Sequence, residues 1–145
     1  MKLHRQLGFT LIEVLIVVAI VGILAAIAYP SYVNQVNKIR HSDAQSALVE
    51  LAARLQEYYI DQTPPTYAGA SLDGNDAIFP NNVPLDSSDA NKHYDLVFVT
   101  PPTANFFQIQ ANPTGAMEGD FTFSVDSRGA KQHFKGASTP IDGWP

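Results

Sequence analysis

An α+β protein, with one long N-terminal α-helix packed on a C-terminal antiparallel β-sheet, follows from three features of this 145-residue sequence. An apolar block runs from Phe9 to Tyr29, a helical period continues from it to Tyr58, and alternating apolar and polar segments fill the last third of the chain.

The apolar block comes first. The overall hydrophobic content of 46% is that of an ordinary globular protein, yet much of it is concentrated in FTLIEVLIVVAIVGILAAIAY. A helix of this length spans roughly 30 Å, the thickness of a bilayer's hydrocarbon layer. Lys2 and Arg5 precede it and favour a cytoplasmic N-terminus, although Lys38 and Arg40 on the far side weaken the asymmetry. A secretory signal peptide is the rival reading, with Ala25, Ala26 and Ala28 as a small-residue cleavage site. The length of the apolar run and the periodic pattern continuing past Pro30 argue against it.

Glu13 is discordant. A carboxylate in the middle of a membrane span costs about 2.5–3.5 kcal/mol on insertion scales. Either it lies near the interface or is protonated, or it meets a cation, and no Lys or Arg occurs between Arg5 and Lys38. Cleavage after Gly8 would create a new ammonium on Phe9, one helical turn from Glu13 and on the same face. Between staggered chains the two charges would neutralise each other.

The run Gly8-Phe9-Thr10-Leu11-Ile12-Glu13, preceded by the short basic leader MKLHRQLG and followed by an apolar stretch and Pro30, resembles the class III signal of type IV prepilins. That resemblance implies cleavage between Gly8 and Phe9 by a prepilin peptidase and N-methylation of Phe9. It implies that Glu13 registers each incoming subunit by pairing with a neighbour's Phe9 amine. Gly8 suits a narrow peptidase site because it carries no Cβ.

Beyond Pro30, Val33, Val36, Ile39, Ala44, Ala47, Leu48, Leu51, Ala52, Leu55 and Tyr58 recur near the helical period. One helix from Phe9 to about Tyr59 would measure roughly 75 Å. Gly22 and Pro30 interrupt it, and an interior proline costs about 3 kcal/mol, so a kink is expected there. The pilin resemblance further implies that the stretch from Gly22 to Pro30 loses helical order on assembly.

Residues 61–93 are rich in turn formers, including Pro64-Pro65, Asp73-Gly74-Asn75-Asp76 and Pro80-Asn81-Asn82. In pilins this segment is the exposed, variable αβ-loop. Strands are expected at Tyr94–Val99, Phe107–Ala111 and Phe121–Asp126, with a weaker fourth at Ala130–Phe134, joined as an antiparallel meander. The apolar face of that sheet needs cover, and the helix stripe is the surface available, giving the pilin fold. The expected organisation is a leader at 1–8, a transmembrane and assembly helix at 9–30, and a head at 31–145. Within the head, 31–60 is amphipathic helix, 61–93 loop, and 94–145 meander and tail.

Many pilins close the C-terminal region with a disulfide, and in the PilE-like minor pilins, which this sequence resembles most, a Cys often precedes the terminal Trp. Here Gly143 stands before Trp144, and the partner position falls near Asp120 or Phe121. With no cysteine in the chain, thiol chemistry and disulfides are excluded, and Trp144 is expected to anchor the tail by burial.

No catalytic, cofactor or metal site is expected. The four histidines are scattered, Asp73-Gly74-Asn75-Asp76 lacks the alternating ligands of a calcium loop, and nucleophile-elbow and phosphate-loop motifs are missing. The formal charge of −5 becomes −7 when Lys2 and Arg5 leave with the leader, which disfavours nucleic acid as a general partner. One local exception is a weak DNA-patch candidate, Arg128, Lys131 and Lys135; a solvated edge strand protected by lysines explains the same residues.

The sequence thus leads to a structural subunit of a type IV pilus, a minor pilin serving fibre assembly, adhesion or twitching motility, rather than an enzyme. Its expected partners are other pilin subunits, the prepilin peptidase, an inner-membrane assembly platform and, before assembly, membrane lipid. The expected location is the bacterial inner membrane, N-terminus inside and head periplasmic, and then the extracellular fibre. The alternatives are a type II secretion pseudopilin and a DNA-uptake (competence) pilin.

Overall fold

The computed structural model describes residues 9–85 and 87–145. The leader and its Gly8 lie outside the described residues. Compact contacts divide the chain into two units, Met1–Asn37 and Lys38–Pro145.

Helix α1 covers Leu11–Asp61 and passes through Gly22 and Pro30 without interruption. In the first unit its apolar side chains from Leu11 to Tyr32 are exposed, among them Ile12, Val14, Ile16, Val18, Ile20, Ile23 and Ile27, while Val33 and Val36 are half-buried. The helix has the length and composition to cross a membrane. In the second unit Ala44, Ala47, Leu48, Leu51 and Leu55 are buried, at the three-and-four spacing that lines one helix face. Ile39, which the periodic reading placed on that stripe, is exposed instead. The two faces separate because Ile39 is nine residues from Leu48, half a turn out of phase.

The sheet has six antiparallel strands in chain order: β1 (Asn82–Val83), β2 (Tyr94–Phe98), β3 (Gln108–Pro113), β4 (Phe121–Asp126), β5 (Lys131–Lys135) and β6 (Ile141–Asp142). The four expected strands are present, and β5 is a full five-residue strand. β1 and β6 add to them at the two edges.

Register decides which side chains share a face. One row runs Leu96–Ala111–Phe123–His133 and another Phe98–Ile109–Val125–Lys131. Leu96, Ala111, Phe123, Ile109 and Val125 are buried in the same core as Leu48, Leu51 and Leu55. Phe123, fully buried, is ringed by His41 at 5.5 Å, Tyr94 at 5.9 Å, and Phe121 and Trp144 at 6.4 Å. The contacts with His41 and Trp144 are edge-to-face, and those with Tyr94 and Phe121 are tilted; a favourable edge-to-face aromatic pair contributes about 0.5–1.5 kcal/mol beyond area burial.

The loop segment departs from the expectation of an exposed connector. It buries Tyr67, Ala70, Leu72, Phe79 and Val83 against the core. Tyr67 stacks edge-on against Phe107 at 4.9 Å and lies 4.5 Å from Tyr59. Its apolar residues were spaced without a period, so their burial comes from tertiary packing.

Candidate functional site

The residues expected from the sequence to act in assembly, Phe9 and Glu13, lie at the start of α1. Phe9 is 84% exposed, and Glu13 is exposed three positions beyond Thr10. The Thr10 carbonyl oxygen accepts from Val14 N at 3.3 Å, the first bond of the helix ladder. The Thr10 hydroxyl oxygen accepts from Glu13 N at 3.3 Å, and a Glu13 carboxylate oxygen accepts from Thr10 N at 3.4 Å. This reciprocal pair is a capping box, in which each side chain satisfies the other residue's backbone N–H at the helix end. Phe9, Glu13, Val14, Val17 and Val18 line an open groove of about 220 Å³ on this end of the helix. Among the described residues, no cation lies within ion-pair distance of Glu13.

Gly22 has open space where a Cβ would stand. Pro30 supplies no N–H to the helix ladder, and the helix carries on past it.

The basic residues near the C-terminus are brought together on β5, on a face that the linear pattern did not identify. Lys131, His133 and Lys135 pair with Val125, Phe123 and Phe121, so they extend the apolar, helix-facing side of the sheet at its rim. β5 is not an unpaired edge, because β6 bonds to it through Gln132–Asp142 and His133–Ile141. The edge-strand explanation therefore fails for the middle of β5.

The three candidate cations also have internal partners. Arg128 donates from Nε at 3.0 Å and from Nη2 at 2.8 Å to the Asp126 carboxylate. Lys135 Nζ is 3.7 Å from Asp120 and 5.5 Å from the Phe121 ring centroid. Lys131 Nζ sits over the Trp144 ring. Burial pushes the Asp126 pKa upward, but the Arg128 side chain and the Ala130 and Arg128 backbone N–H groups outweigh it and hold the carboxyl below its usual range.

Two constellations were not legible in the sequence. His41 on α1 bonds Asp120 at 3.1 Å, tying the helix to the β3–β4 loop from 79 positions away. The tail is fastened without a disulfide. Trp144 Nε1 donates to the Ser124 and Gln132 carbonyls, Gly143 N donates to Lys131 O at 2.8 Å, and His133 Nδ1 donates to Gly143 O at 2.6 Å. Trp144 is half-buried, so hydrogen bonding shares the anchoring that burial alone was expected to supply.

Among the described residues, no group of three or more His, Asp or Glu side chains gathers at metal-ligating distance. Asp73 belongs to a tight turn in which Ser71 Oγ donates to Asp73 O and accepts from Asp73 N, both at 3.1 Å.

Comparisons with known proteins follow the same division of the chain. Residues 3–29 match the model of the prokaryotic N-terminal methylation motif. Residues 30–123 match the family model described as type IV minor pilin ComP, DNA uptake sequence receptor. No curated protein matches the chain. A crystal structure of the Neisseria meningitidis non-core minor pilin PilV superposes with a TM-score of 0.52 at 15% identity, covering 72% of this chain and 93% of that one. At that identity the superposition speaks for the fold alone, a long helix on an antiparallel sheet. The family match spans most of the chain, from Pro30 into strand β4 at Phe123, and with the signature ahead of it identifies this protein as a member of the type IV minor pilins.

Proposed function

We propose that this minor pilin is matured by cleavage between Gly8 and Phe9 with N-methylation of Phe9, is held in the inner membrane by residues 9–30, and then enters a fibre. In the fibre, Glu13 pairs with the Phe9 amine of a neighbouring subunit. The observation that carries this reading is Glu13 itself, the one charged side chain in the exposed apolar run from Leu11 to Tyr29. A membrane span retains such a residue at a cost of about 2.5–3.5 kcal/mol when it has a task there. The methylation-motif match over residues 3–29 supports the processing step. Gly22 and Pro30, in this reading, are where the helix loosens as the subunit leaves the membrane. The head, 31–145, faces the periplasm before assembly; a prepilin peptidase acts at the other end of the span, at the Gly8–Phe9 bond, and an inner-membrane assembly platform then receives the subunit.

Mass spectrometry of the mature N-terminus tests the processing step. Recovery of methylated Phe9 is expected, and fibres that retain Met1–Gly8 would contradict it. Glu13→Ala tests the pairing: membrane insertion is unchanged or improved, while incorporation beside other subunits falls. Incorporation at native levels would remove the charge-pairing role.

A second reading, reception of DNA, is favoured by the name of the matched family and by Lys131 and Lys135, both exposed and projecting from one side of β5. Four strand positions separate them by about 13 Å. The formal charge of −5 and the carboxylates beside Arg128 and Lys135 work against it. Duplex-DNA affinity of the full chain in detergent, measured against salt, separates the readings. A DNA receptor gives a steep salt slope that drops by about one unit in Lys131→Ala; an undetectable response at low salt removes it.

A further inference from the structure

Helix α1 buries Ala44, Leu48 and Leu51 in the core of the head, while Ser42, Ser46, Val49 and Ala53, at the three-and-four spacing of another face, are exposed. An exposed helix face is ordinarily charged, whereas this stripe carries hydroxyls and small apolar groups. It forms one wall of an open groove of about 460 Å³, and Lys131 and Trp144 form the other. That volume falls within the roughly 300–1,000 Å³ of small-molecule sites. From Ser42 to Ala53 the helix rises roughly 16 Å, so the wall is longer than a single hexose ring. Trp144 is fixed in place, because its indole N–H donates to the Ser124 and Gln132 carbonyls and its ring meets Phe123 edge-on. With its polar edge engaged, the indole has its apolar ring to offer a ligand. Half-buried Gln45 brings an amide donor and acceptor to the same groove, Glu50 an acceptor and Lys131 a donor. Among the described residues, none of these three side chains has a hydrogen-bond or ion-pair partner.

The charges of Glu50 and Lys131 cancel, so the groove is formally neutral on a chain whose net charge is −5. A polyanion needs a row of cations, and Lys131 is the single cation of this lining. A wholly apolar ligand would leave the amide and both charges without partners. A sugar satisfies every group, since a pyranose has C–H faces that lie flat on an indole and a rim of hydroxyls that both donate and accept. We propose that this groove binds an uncharged oligosaccharide, with one hexose ring on Trp144 and hydroxyls bonded to Gln45 and Glu50. Lys131, whose ammonium stands 4.5 Å from the ring centroid in the free protein, turns aside to a sugar hydroxyl as the hexose takes its place. Its side chain is exposed, and a cation–π contact in water is the weaker kind, so the exchange costs little.

The chain contains a single tryptophan, so indole emission reports on this groove directly. The full chain, in a detergent without a sugar headgroup, is titrated with maltotriose, chitotriose and lacto-N-tetraose into the millimolar range, and calorimetry is run alongside. A saturable response to at least one of the three, unaltered by salt, is expected. Gln45→Ala removes the amide at a position where alanine suits the helix, and it is expected to weaken binding about five-fold while the circular dichroism spectrum stays native. Lys131→Gln is expected to leave the affinity unchanged or raise it, because the indole is no longer contested. Silence of both emission and calorimetry with all three sugars overturns the proposal, and so does equal affinity of Gln45→Ala and the native chain. Loss of binding in Lys131→Gln overturns it as well, since recognition would then rest on charge. A response to duplex DNA that salt abolishes, with none to sugar, assigns the groove to a polyanion instead. An emission shift on concentrating the protein without sugar means that a second copy fills the groove, and that result also overturns the proposal.

Discussion

The ammonium of Lys131 stands 4.5 Å from the centroid of the Trp144 ring. This contact joins β5 to the tail, and it engages one of the cations that would otherwise be free to meet a phosphate. Four predictions follow from contacts of this kind, each measured on the full chain in detergent.

Trp144 fastens the tail through its indole N–H and its ring. Trp144→Phe removes two hydrogen bonds and keeps an aromatic ring, so a loss of about 1 kcal/mol is expected. Trp144→Ala also removes the packing on Phe123, and about 2–3 kcal/mol is expected for this half-buried side chain. Urea unfolding followed by near-ultraviolet circular dichroism measures both, and equal losses would mean that the ring contributes nothing.

Asp126 organises the β4–β5 turn by accepting from Arg128 N and Ala130 N, each at 2.9 Å. Gly129 completes that turn with φ of +80°, a conformation that strains any residue carrying a Cβ. Asp126→Ala strands two backbone donors and is expected to cost about 1–2 kcal/mol. Arg128→Ala removes a guanidinium that is 77% exposed, and its cost is expected to stay below about 1 kcal/mol. The reverse order of losses would place the stabilisation in the ion pair instead of the turn.

The Tyr94 hydroxyl is buried and, among the described residues, has no hydrogen-bond partner. Burial, reinforced by Asp120, pushes its pKa far up, so it stays neutral throughout the accessible range. Tyr94→Phe is expected to leave stability unchanged or raise it by up to about 1 kcal/mol. A loss larger than that in the same unfolding assay would show that the hydroxyl is satisfied in solution.

His93 sets a pH dependence. Burial and the nearby Arg40 lower its pKa below 6.5 against a smaller opposing effect of Asp43, so the folded head binds a proton less readily than the unfolded chain does. Its stability contribution is intact above the unfolded value and is lost as pH falls from about 6.5 through the lowered folded value. His93→Gln is expected to flatten the stability profile across this window. An unchanged slope would assign the acid sensitivity elsewhere.

The readable parts of the fold were those with a period. Leu48, Leu51 and Leu55 announced a helix face, and Phe121-Thr122-Phe123-Ser124-Val125 announced a strand, because burial on one side imposes a repeat on the sequence. Asn82–Val83 and Ile141–Asp142 are too short to show a repeat, and both strands exist through pairing with β2 and β5. The buried loop residues Tyr67, Leu72 and Phe79 were hidden for the same reason, being surrounded by turn formers.

The N-terminal methylation signature is legible in the sequence alone: Glu13 in its apolar run, Phe9 four positions before it and the basic leader are local features that need no tertiary contact to be recognised. The basic strand was different. Alternation placed Lys131, His133 and Lys135 on one side of β5, but a period of two is the same for either side of a sheet. Pairing with Val125, Phe123 and Phe121 chose the core-facing side, where Trp144 and Asp120 could reach the two lysines. Those contacts join residues distant in the chain, and a linear pattern carries no record of them until the sheet closes on the helix.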